Sequence, residues 1–430
     1  MDFQIEPGPL TGAVKAISSK SELHRMLISA AFADKVSEIT VTGSAYDGQN
    51  ELPKDIQATI SCLKALGIEI FFSPGRIRVQ PVSGEYTHDE IQLDCGESGS
   101  TFRFLLPVAA AVSGNVSFCG RGRLPERPIT DLADALEAHG VQFSSRQLPF
   151  TIKGKPNGGI YEIPGNISSQ YLTGLLLMLP LLNEMAEIHL TTELVSSPYI
   201  DITAQVMEYF AVPVARSGSI WRLKDNKIYS SPGTLQAGGD WSNMAAFLTA
   251  SMLREENSIV CQALCMDSQQ GDRRILPLLE SFGAEILNTE TVVKPRNAFL
   301  HGITIDIDET PDLLPVLAVA ACAVQGRTSF INAGRLRLKE SDRIESVARM
   351  IRDLGGSVET GEDYLTICGS GSLRGGTVDA ANDHRIVMAS AIAASICDEP
   401  VIIHGAEAVE KSYPSFFRDF ESVKGVYHVI

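Results

Sequence analysis

The sequence lacks any uncharged apolar run of membrane-spanning length. The longest candidate, residues 171–182, falls short of the roughly 20 residues that a transmembrane helix needs. The first residues are acidic and do not form a basic segment followed by an apolar one, so we expect no signal or transit peptide. These absences favour a cytoplasmic protein without a membrane partner.

Cysteines are few and scattered. Eight occur in 430 residues, and the close pair Cys261 and Cys265 has no matching second pair and no nearby histidines. We therefore expect no zinc site. Most of the cysteines stand among apolar residues, which favours buried free thiols in a reducing compartment.

Positive charge is also scarce. The chain has 36 lysines and arginines against 52 aspartates and glutamates, which gives a formal net charge of −16. This balance argues against nucleic acid or an acidic membrane as the main partner, because a negative surface attracts neither. Small anionic substrates are still compatible with it, because they respond to the local field.

The chain does contain an internal repeat, in which a helix, a strand, a second helix and alternating apolar segments recur six times. The second helices are predicted to end at Gly67, Gly140, Ala211, Gly283, Gly355 and Gly425, with gaps of 73, 71, 72, 72 and 70 residues. The first helices are predicted to start at Ser21, Ser98, Ser168, Asp240, Asp312 and Asp383, with gaps of 77, 70, 72, 72 and 71 residues. Two landmarks with one period predict six βαβαββ units in an α/β fold.

Six such units divide naturally into two domains of three, since 430 residues exceed one ordinary core. We expect one domain at 20–238 and a second that combines 1–19 with 239–430. A cleft would lie between them, and two chain crossings suggest hinge closure. The strand predicted at 2–7 precedes the first helix. We interpret it as the opening strand of the first unit, which could pair with the C-terminal half.

Residues 335–343 hold three arginines, a lysine, a glutamate and an aspartate where a predicted strand leads into a helix. Cations beside a helix N-terminus make an anion site, and a glutamate among them is a candidate proton carrier. Taken alone, the cluster could be a solvated charge run. Equivalent positions of other units carry further cations, and equivalent positions of a repeat face the same way. We therefore predict a polyanion pocket built from Lys20, Arg25, Arg127, Lys339, Arg343, Arg385 and Lys411.

Other candidate positions are ambiguous one at a time. Gly99 alone could be a turn, Ser168 and Ser169 could be plain helix caps, and Asp312 could be an ordinary N-cap. Their placement on one period favours a functional role for the set. The fourth unit is plainer, and the sequence leaves the role of its Arg273 and Arg274 undecided.

Nine motifs, in order along nearly the whole chain, resemble those of the EPSP synthases, the 3-phosphoshikimate 1-carboxyvinyltransferases of the shikimate pathway. They are GPLTGAV (8–14), SKSELHR (19–25), GESGSTFRF (96–104), LPERPITDL (124–132), SSQYLTGLLL (168–177), LVSSPYIDIT (194–203), LKESDRI (338–344), NDHRIVMA (382–389) and EKSYPSFF (410–417).

The resemblance implies transfer of enolpyruvyl from phosphoenolpyruvate to the 5-hydroxyl of shikimate 3-phosphate, with release of phosphate. It also implies two inside-out α/β domains of three βαβαββ repeats each, no metal or organic cofactor, and a monomer. The domain at 20–238 would bind mainly shikimate 3-phosphate. The other domain would carry the acid and base and much of the phosphoenolpyruvate site. The family is the target of glyphosate, which occupies the phosphoenolpyruvate site beside Gly99.

The resemblance also assigns site residues. Asp312 would accept the hydroxyl proton, Glu340 would protonate the phosphoenolpyruvate methylene, and Lys20 would assist catalysis. Shikimate 3-phosphate would be bound by Lys20, Ser21, Arg25, Ser168, Ser169, Gln170, Ser196, Asp312 and Lys339, with Tyr199 nearby. Phosphoenolpyruvate would be bound by Lys20, Gly99, Arg127, Gln170, Arg343, Arg385 and Lys411.

Two alternatives stand beside this interpretation. One is the sister transferase that acts on UDP-N-acetylglucosamine, which uses a loop cysteine where this chain has Gly122. The other is a catalytically silent repeat protein that senses metabolites, although such a protein would not need Glu340 and Asp312 together. The chain also departs from many relatives at Arg335, where they carry an asparagine that contacts the shikimate phosphate.

Overall fold

A computed structural model describes residues 1–43, 52–81, 91–225, 228–288, 292–296 and 300–430. The helices within these ranges are α1 (Lys20–Ala31), α2 (Lys54–Ala65), α3 (Gly99–Val112), α4 (Thr130–Glu137), α5 (Ser169–Met178), α6 (Pro198–Tyr209), α7 (Trp241–Leu253), α8 (Ile275–Ser281), α9 (Leu314–Ala323), α10 (Arg343–Asp353), α11 (His384–Ala393) and α12 (Phe416–Ser422).

The strands of the same ranges are β1 (Asp2–Ile5), β2 (Thr11–Lys15), β3 (Ser37–Thr40), β4 (Glu69–Ser73), β5 (Arg76–Gln80), β6 (Ile91–Asp94), β7 (Asn115–Cys119), β8 (Gln142–Phe143), β9 (Phe150–Lys153), β10 (Gly159–Ile163), β11 (Ala186–Leu190), β12 (Val214–Ser217), β13 (Ile220–Leu223), β14 (Thr234–Gln236), β15 (Ser258–Gln262), β16 (Glu285–Asn288), β17 (Val292–Arg296), β18 (Thr304–Asp306), β19 (Gln325–Ile331), β20 (Ser357–Thr360), β21 (Leu365–Ser370), β22 (Gly376–Asp379), β23 (Val401–His404) and β24 (Tyr427–Val429).

The described strands form six four-stranded sheets of one design. In the sheet β6-β7-β9-β8, β6 and β7 are parallel and flank a helix, and β9 pairs antiparallel with both β7 and β8. The same order recurs in β10-β11-β13-β12 and in β18-β19-β21-β20. Each unit is thus a parallel pair joined by a helix, followed by a second helix and a hairpin. The prediction of six βαβαββ units is confirmed.

Three sheets are completed by strands from distant parts of the chain. β1 pairs antiparallel with β23 and β24, so the N-terminal strand closes the sixth sheet. β2 lies parallel to β15 in the fourth sheet, and β14 lies parallel to β3 in the first. The expected pairing of the N-terminal strand with the C-terminal half is confirmed. Its interpretation as the opening strand of the first unit is wrong, because β14 occupies that position.

The chain divides into two compact units, one of residues Ser18–Ala237 and one that joins Met1–Ile17 to Gly238–Ile430. In the first unit α1, α3 and α5 pack against one another, and in the second α7, α9 and α11 do the same. These helices are almost entirely buried, as their alanine- and leucine-rich sequences require. In each compact unit, the first helices of its three repeats therefore lie in the interior. None of the described helices combines the length and apolarity of a membrane span.

Most predicted helix starts are confirmed by capping geometry. Ser98, Ser168, Asp240 and Asp383 are N-caps whose side chains accept hydrogen bonds from backbone amides of the next turn. Two predicted starts are wrong. The N-cap of α1 is Ser19, because its side chain rather than that of Ser21 accepts from the Glu22 amide. Asp312 lies within a 3-10 turn, Pro311–Leu313, and α9 begins after it.

The predicted helix ends are also mostly correct. Left-handed backbone follows the second helix of each unit, with φ of 91° at Gly67, 101° at Gly140, 60° at Ala211, 104° at Gly283 and 87° at Gly355. In the sixth unit the left-handed residue is Lys424, with φ of 66°, rather than Gly425. The landmark predicted there is one residue late.

The cysteines are free thiols, and five of them are buried: Cys62, Cys95, Cys261, Cys322 and Cys397. Cys119 is half-buried. Cys265 and Cys368 are exposed, so the expectation of burial is wrong for these two. Apolar neighbours in the sequence do not determine whether a side chain lies on the buried or the exposed face of a strand or loop. In the described residues, no group of three or more histidine, cysteine or acidic side chains is arranged to hold a metal ion.

Candidate active site

The compact unit that joins Met1–Ile17 to Gly238–Ile430 contains Arg343, a fully buried arginine at the first position of α10. Arg343 lies at the centre of a network of ion pairs. Its Nη1 donates to Asp312 Oδ1 at 2.6 Å, its Nη2 to Glu340 Oε2 at 2.7 Å, and its Nε to Asp383 Oδ2 at 3.1 Å. Burial disfavours the charged guanidinium, but the three carboxylates outweigh it and raise the pKa of Arg343. The candidate acid and the candidate base are therefore hydrogen-bonded to one guanidinium.

Asp312 is surrounded by cations. Arg385 Nη2 donates to its Oδ2 at 2.9 Å, Arg343 occupies its Oδ1, and Lys339 Nζ lies 3.5 Å from Oδ1. Burial alone would raise the pKa of Asp312, but Arg385, Lys339 and Arg343 together hold it well below its usual value. The carboxylate is thus ionised and in hydrogen-bond contact with the candidate anion-binding residues.

Arg385 extends this network to residues that sequence reasoning missed. Its Nη2 also donates to Ser242 Oγ at 2.8 Å, and Asp272 lies beside Ser242 within reach of both Arg385 and Asp312. Burial, and then the charge of Asp312, raise the pKa of Asp272 to about 6. Gly271-Asp272 lies just before the second helix of the fourth repeat, a position at which other repeats carry candidate site residues. The register of the repeat could therefore have identified Asp272.

The remaining candidates of this unit have local partners. Lys411 Nζ donates to the carbonyl of Asn382, next to the Asp383 cap. Arg335 and Arg337 are paired with Asp308 and Asp342 respectively, so the cluster at 335–343 is not a solvated charge run. Arg273, undecided from sequence, donates to the carbonyl of Met266.

In the compact unit Ser18–Ala237, Arg25 is a buried cation whose hydrogen-bond acceptors are neutral groups. Its Nε donates to Thr203 Oγ1 at 2.7 Å, and its other nitrogens donate to the carbonyls of Ser21 and Tyr199 and to Thr173 Oγ1. The guanidinium carbon lies 4.8 Å from the centre of the Phe104 ring. Burial lowers the pKa of Arg25, which means that its charge is incompletely compensated. An anion bound here would supply the missing countercharge.

A buried hydrogen-bond chain joins α1, α2 and α3. His24 Nδ1 lies 2.7 Å from Thr59 Oγ1, which lies 2.7 Å from Thr101 Oγ1, and Thr101 donates to Ser98 Oγ at 2.8 Å. Alongside it, Lys20 Nζ donates to Asp55 Oδ2 at 2.8 Å. The Thr101 hydroxyl also lies 3.1 Å from the Asp55 carbonyl oxygen, so the partner of Lys20 is linked to the first turn of α3, where Gly99 is the first residue. Asp55 was missed because its sequence position, early in α2, resembles an ordinary first-turn acid.

The start of α3 is bordered by two arginines. A methyl group added to Gly99 would stand 2.6 Å from Arg127 Nη1 and 3.1 Å from Arg103 Nη1. Arg103 is buried, and it donates to Gln170 Oε1 at 2.7 Å. Arg103 belongs to the motif at 96–104, but the resemblance assigns it no role. The structure thus brings Gly99, Arg127 and Gln170 together through this arginine.

The predicted serines lie at helix starts of the same unit. Ser168 caps α5 and Ser169 is its first residue, while Ser196 precedes α6 in a left-handed conformation with φ of 54°. Such a conformation is strained for a residue other than glycine, and it occurs preferentially at functional sites. The structure therefore gathers the first-unit candidates around α1, α3, α5 and α6.

The chain is similar to known proteins over almost its whole length. The family model for EPSP synthase (3-phosphoshikimate 1-carboxyvinyltransferase) matches residues 5–420. The chain is 40% identical to the 3-phosphoshikimate 1-carboxyvinyltransferase of Clostridium kluyveri, covering 98% of this chain and 97% of the relative. It is 39% identical to that of Clostridium novyi, covering 99% and 98%.

Solved structures show the same fold. The EPSP synthase of Acinetobacter baumannii superposes over 100% of both chains with a TM-score of 0.80 at 23% identity. The enolpyruvyl transferase NikO of Streptomyces tendae superposes over 99% of this chain and 98% of its own, with a TM-score of 0.78 at 14% identity. The predicted fold class is confirmed. Because the family model and these relatives span almost the whole sequence, the chain belongs to the EPSP synthase (3-phosphoshikimate 1-carboxyvinyltransferase) family.

Proposed function

We propose that this chain transfers the enolpyruvyl group of phosphoenolpyruvate to the 5-hydroxyl of shikimate 3-phosphate and releases phosphate. The observation that carries the proposal is the shared guanidinium of Arg343, which donates to both Asp312 and Glu340. The reaction needs a base for oxygen and an acid for carbon. One buried cation holds two such carboxyl groups beside each other.

The substrates bring two phosphates and two carboxylates, which must be compensated by cations. We assign phosphoenolpyruvate to Lys20, Gly99, Arg127, Gln170, Arg343, Arg385 and Lys411. Shikimate 3-phosphate is assigned to Lys20, Ser21, Arg25, Ser168, Ser169, Gln170, Ser196, Asp312 and Lys339. The unit 18–237 then binds mainly shikimate 3-phosphate, and the other unit supplies the acid and base. Arginine suits these anions because its planar fork donates two parallel hydrogen bonds.

The chemistry proceeds by addition and elimination. Asp312 accepts the proton of the 5-hydroxyl, whose oxygen forms a bond to C2 of phosphoenolpyruvate. Glu340 gives a proton to the C3 methylene, which becomes a methyl group. In the second step Glu340 takes a proton back from that methyl group, the double bond re-forms, and the C2–oxygen bond to phosphate breaks. The proton held by Asp312 passes to the leaving phosphate, which restores the base. Lys20 assists by compensating the charge on the phosphate that leaves.

Substrate binding itself would prepare these groups. In the absence of substrate, Arg343 and Arg385 hold Asp312 as an ionised carboxylate with a depressed pKa. A phosphoenolpyruvate anion on the same arginines draws hydrogen bonds away from Asp312 and Glu340. The pKa of Asp312 then rises, which makes its carboxylate a stronger base. The arginines thus couple binding to proton transfer.

Phosphate release from phosphoenolpyruvate tests the proposal when shikimate 3-phosphate and UDP-N-acetylglucosamine are supplied as separate acceptors. We expect release with shikimate 3-phosphate alone, because Gly122 stands where the sister transferase has its cysteine. Activity only with the nucleotide sugar would contradict the proposal. Activity with neither acceptor would favour a metabolite sensor.

We further propose that the protein acts in the cytoplasm as a monomer and needs no metal or organic cofactor. Light scattering during size-exclusion chromatography tests the oligomeric state. Phosphate release in the presence of a chelator tests the independence from metal.

A further inference from the structure

Arg335, the residue at which this chain departs from many relatives, is joined to Asp308 by a multiple contact. Its Nε and Nη2 lie 3.0 and 2.5 Å from Asp308 Oδ1, and Nη2 also lies 2.8 Å from the Asp308 carbonyl oxygen. About a quarter of each side chain is exposed, at 24% and 27%. A carboxylate thus already compensates the charge that a shikimate phosphate would otherwise meet.

Asp308 and Arg335 each lie four residues before a candidate site residue. Asp308 follows β18 and precedes Asp312 by four residues, while Arg335 precedes Lys339 by four residues. The segment 334–338 is a 3-10 turn, and the residue after it is Lys339. The ion pair therefore links the segment that carries the proposed base to the segment that carries the proposed acid.

Each segment also has anchors other than this ion pair. Leu336 is fully buried, and the Gly334 amide donates to Asp363 Oδ1 at 2.5 Å, which fixes the start of the turn. Ile307 is fully buried beside Asp308. Within the 334–338 turn, Arg335 is the residue that donates to Asp308, while Arg337 donates to the carbonyls of Gly361 and Glu362. Asp312 is held separately by Arg343 and Arg385. Lys339 reaches Asp312 more loosely, at 3.5 Å.

We propose that Arg335 is a positioning residue for Asp312, Lys339 and Glu340, acting through its ion pair with Asp308, and is not a ligand of the shikimate phosphate. The proposal rests on the proposed function for the roles of those three residues. Its structural part, that the pair holds 334–342 against 306–313, does not depend on the reaction.

The test compares Arg335→Met, Asp308→Asn and the double variant with wild type. Arg327→Met is the control, because Arg327 forms an exposed ion pair with Glu359 in the same sheet. We expect each single change to lower kcat by about tenfold to a hundredfold, as misplacement of reacting groups does. KM for shikimate 3-phosphate should stay within about twofold. The double variant should be no slower than either single variant, because each single change already removes the same interaction.

A phosphate ligand would behave differently: Arg335→Met would raise KM for shikimate 3-phosphate without lowering kcat, and Asp308→Asn would change neither. That pattern overturns the proposal.

Amide hydrogen exchange of the substrate-free protein gives a readout without activity. Both single variants should exchange faster than wild type over 306–313 and 334–342, while the Arg327→Met control should not. Unchanged exchange in either single variant overturns the proposal. If the wild type releases no phosphate, the proposed function fails, whereas the exchange result still decides whether the pair holds these segments.

Discussion

Among single side chains, Arg343 has the widest influence, because three carboxylates depend on it. It is fully buried and paired with Asp312, Glu340 and Asp383. Removing one partner of such a network leaves buried charge uncompensated and is costly. Substitutions that keep shape and remove only a carboxylate charge are therefore the informative ones.

Asp312→Asn and Glu340→Gln should each lower kcat by at least about a hundredfold, the usual contribution of a positioned acid or base. Binding of both substrates should be largely retained, because neither change removes a cation. Steady-state phosphate release and equilibrium titration measure the two quantities. Glu359→Gln, at an exposed carboxylate, is the control. Near-normal turnover in either site variant would show that the acid and base are assigned wrongly.

Asp272→Asn should stabilise the protein above pH 6. Burial and Asp312 raise the pKa of Asp272 from 3.8 to about 6, so between these values the folded protein holds a proton that the unfolded chain has lost. The free energy of unfolding therefore falls as the pH rises through that window, by up to about 3 kcal/mol. Asparagine does not ionise, so the variant escapes this loss.

Urea unfolding at pH 4.5 and pH 7.5 measures the effect, with Asp267→Asn at an exposed position as the control. The gain of the Asp272 variant should be about 3 kcal/mol at pH 7.5 and only about 1 kcal/mol at pH 4.5, because the folded carboxyl is then still protonated. A variant that is less stable than wild type at pH 7.5 would mean that the ionised carboxylate is stabilising.

Among helices and strands, the sequence predicted most boundaries, because capping residues act locally. Ser98, Ser168, Asp240 and Asp383 satisfy amides of their own helices, and that chemistry can be recognised from a few letters. At α1 two serines compete for the cap, and the letters alone do not choose between Ser19 and Ser21. β14 has three residues and no distinctive pattern, so its role in the first sheet could not be predicted.

Gly99→Ala should weaken phosphoenolpyruvate binding through the start of α3. The added methyl would stand 2.6 Å from Arg127 Nη1, so the arginine must shift. Loss of one charge-assisted hydrogen bond raises KM for phosphoenolpyruvate by about tenfold or more. Inhibition by glyphosate should weaken as well. Kinetics with varied phosphoenolpyruvate measure this, and Gly8→Ala, which has open space around it, is the control. Unchanged KM and inhibition would place the phosphoenolpyruvate site elsewhere.

Ile5→Ala should destabilise the sixth sheet, although it lies at the opposite end of the chain from β23 and β24. Ile5 is fully buried and pairs with Val401 and Tyr427. Deleting a buried aliphatic side chain of this size costs about 2–5 kcal/mol. The urea midpoint should fall for this variant and hold for Gln4→Ala, whose side chain is only half-buried. Equal midpoints would contradict a structural role for β1.

In the whole molecule, the repeat could be predicted because a period near 72 residues is visible in helix starts and helix ends alike. The ion pairs of the site could not be predicted, because a local pattern does not say which carboxylate a buried arginine reaches. Arg343 donates to Asp383, which is 40 residues away in the sequence, and Arg103 donates to Gln170, which is 67 residues away. The sequence thus predicted candidate members of the site, and the structure supplied their partners and added Asp55, Arg103 and Asp272.

Running the reaction in D₂O tests the proposed addition and elimination most directly. Protonation of C3 by Glu340, whose carboxyl proton exchanges with solvent, puts deuterium on that carbon, and elimination then returns a vinyl group that retains part of the label. Mass spectrometry and NMR of the 5-enolpyruvylshikimate 3-phosphate should therefore show deuterium in its vinyl methylene. A product formed in D₂O with an unlabelled methylene would contradict protonation at that carbon and, with it, the role assigned to Glu340.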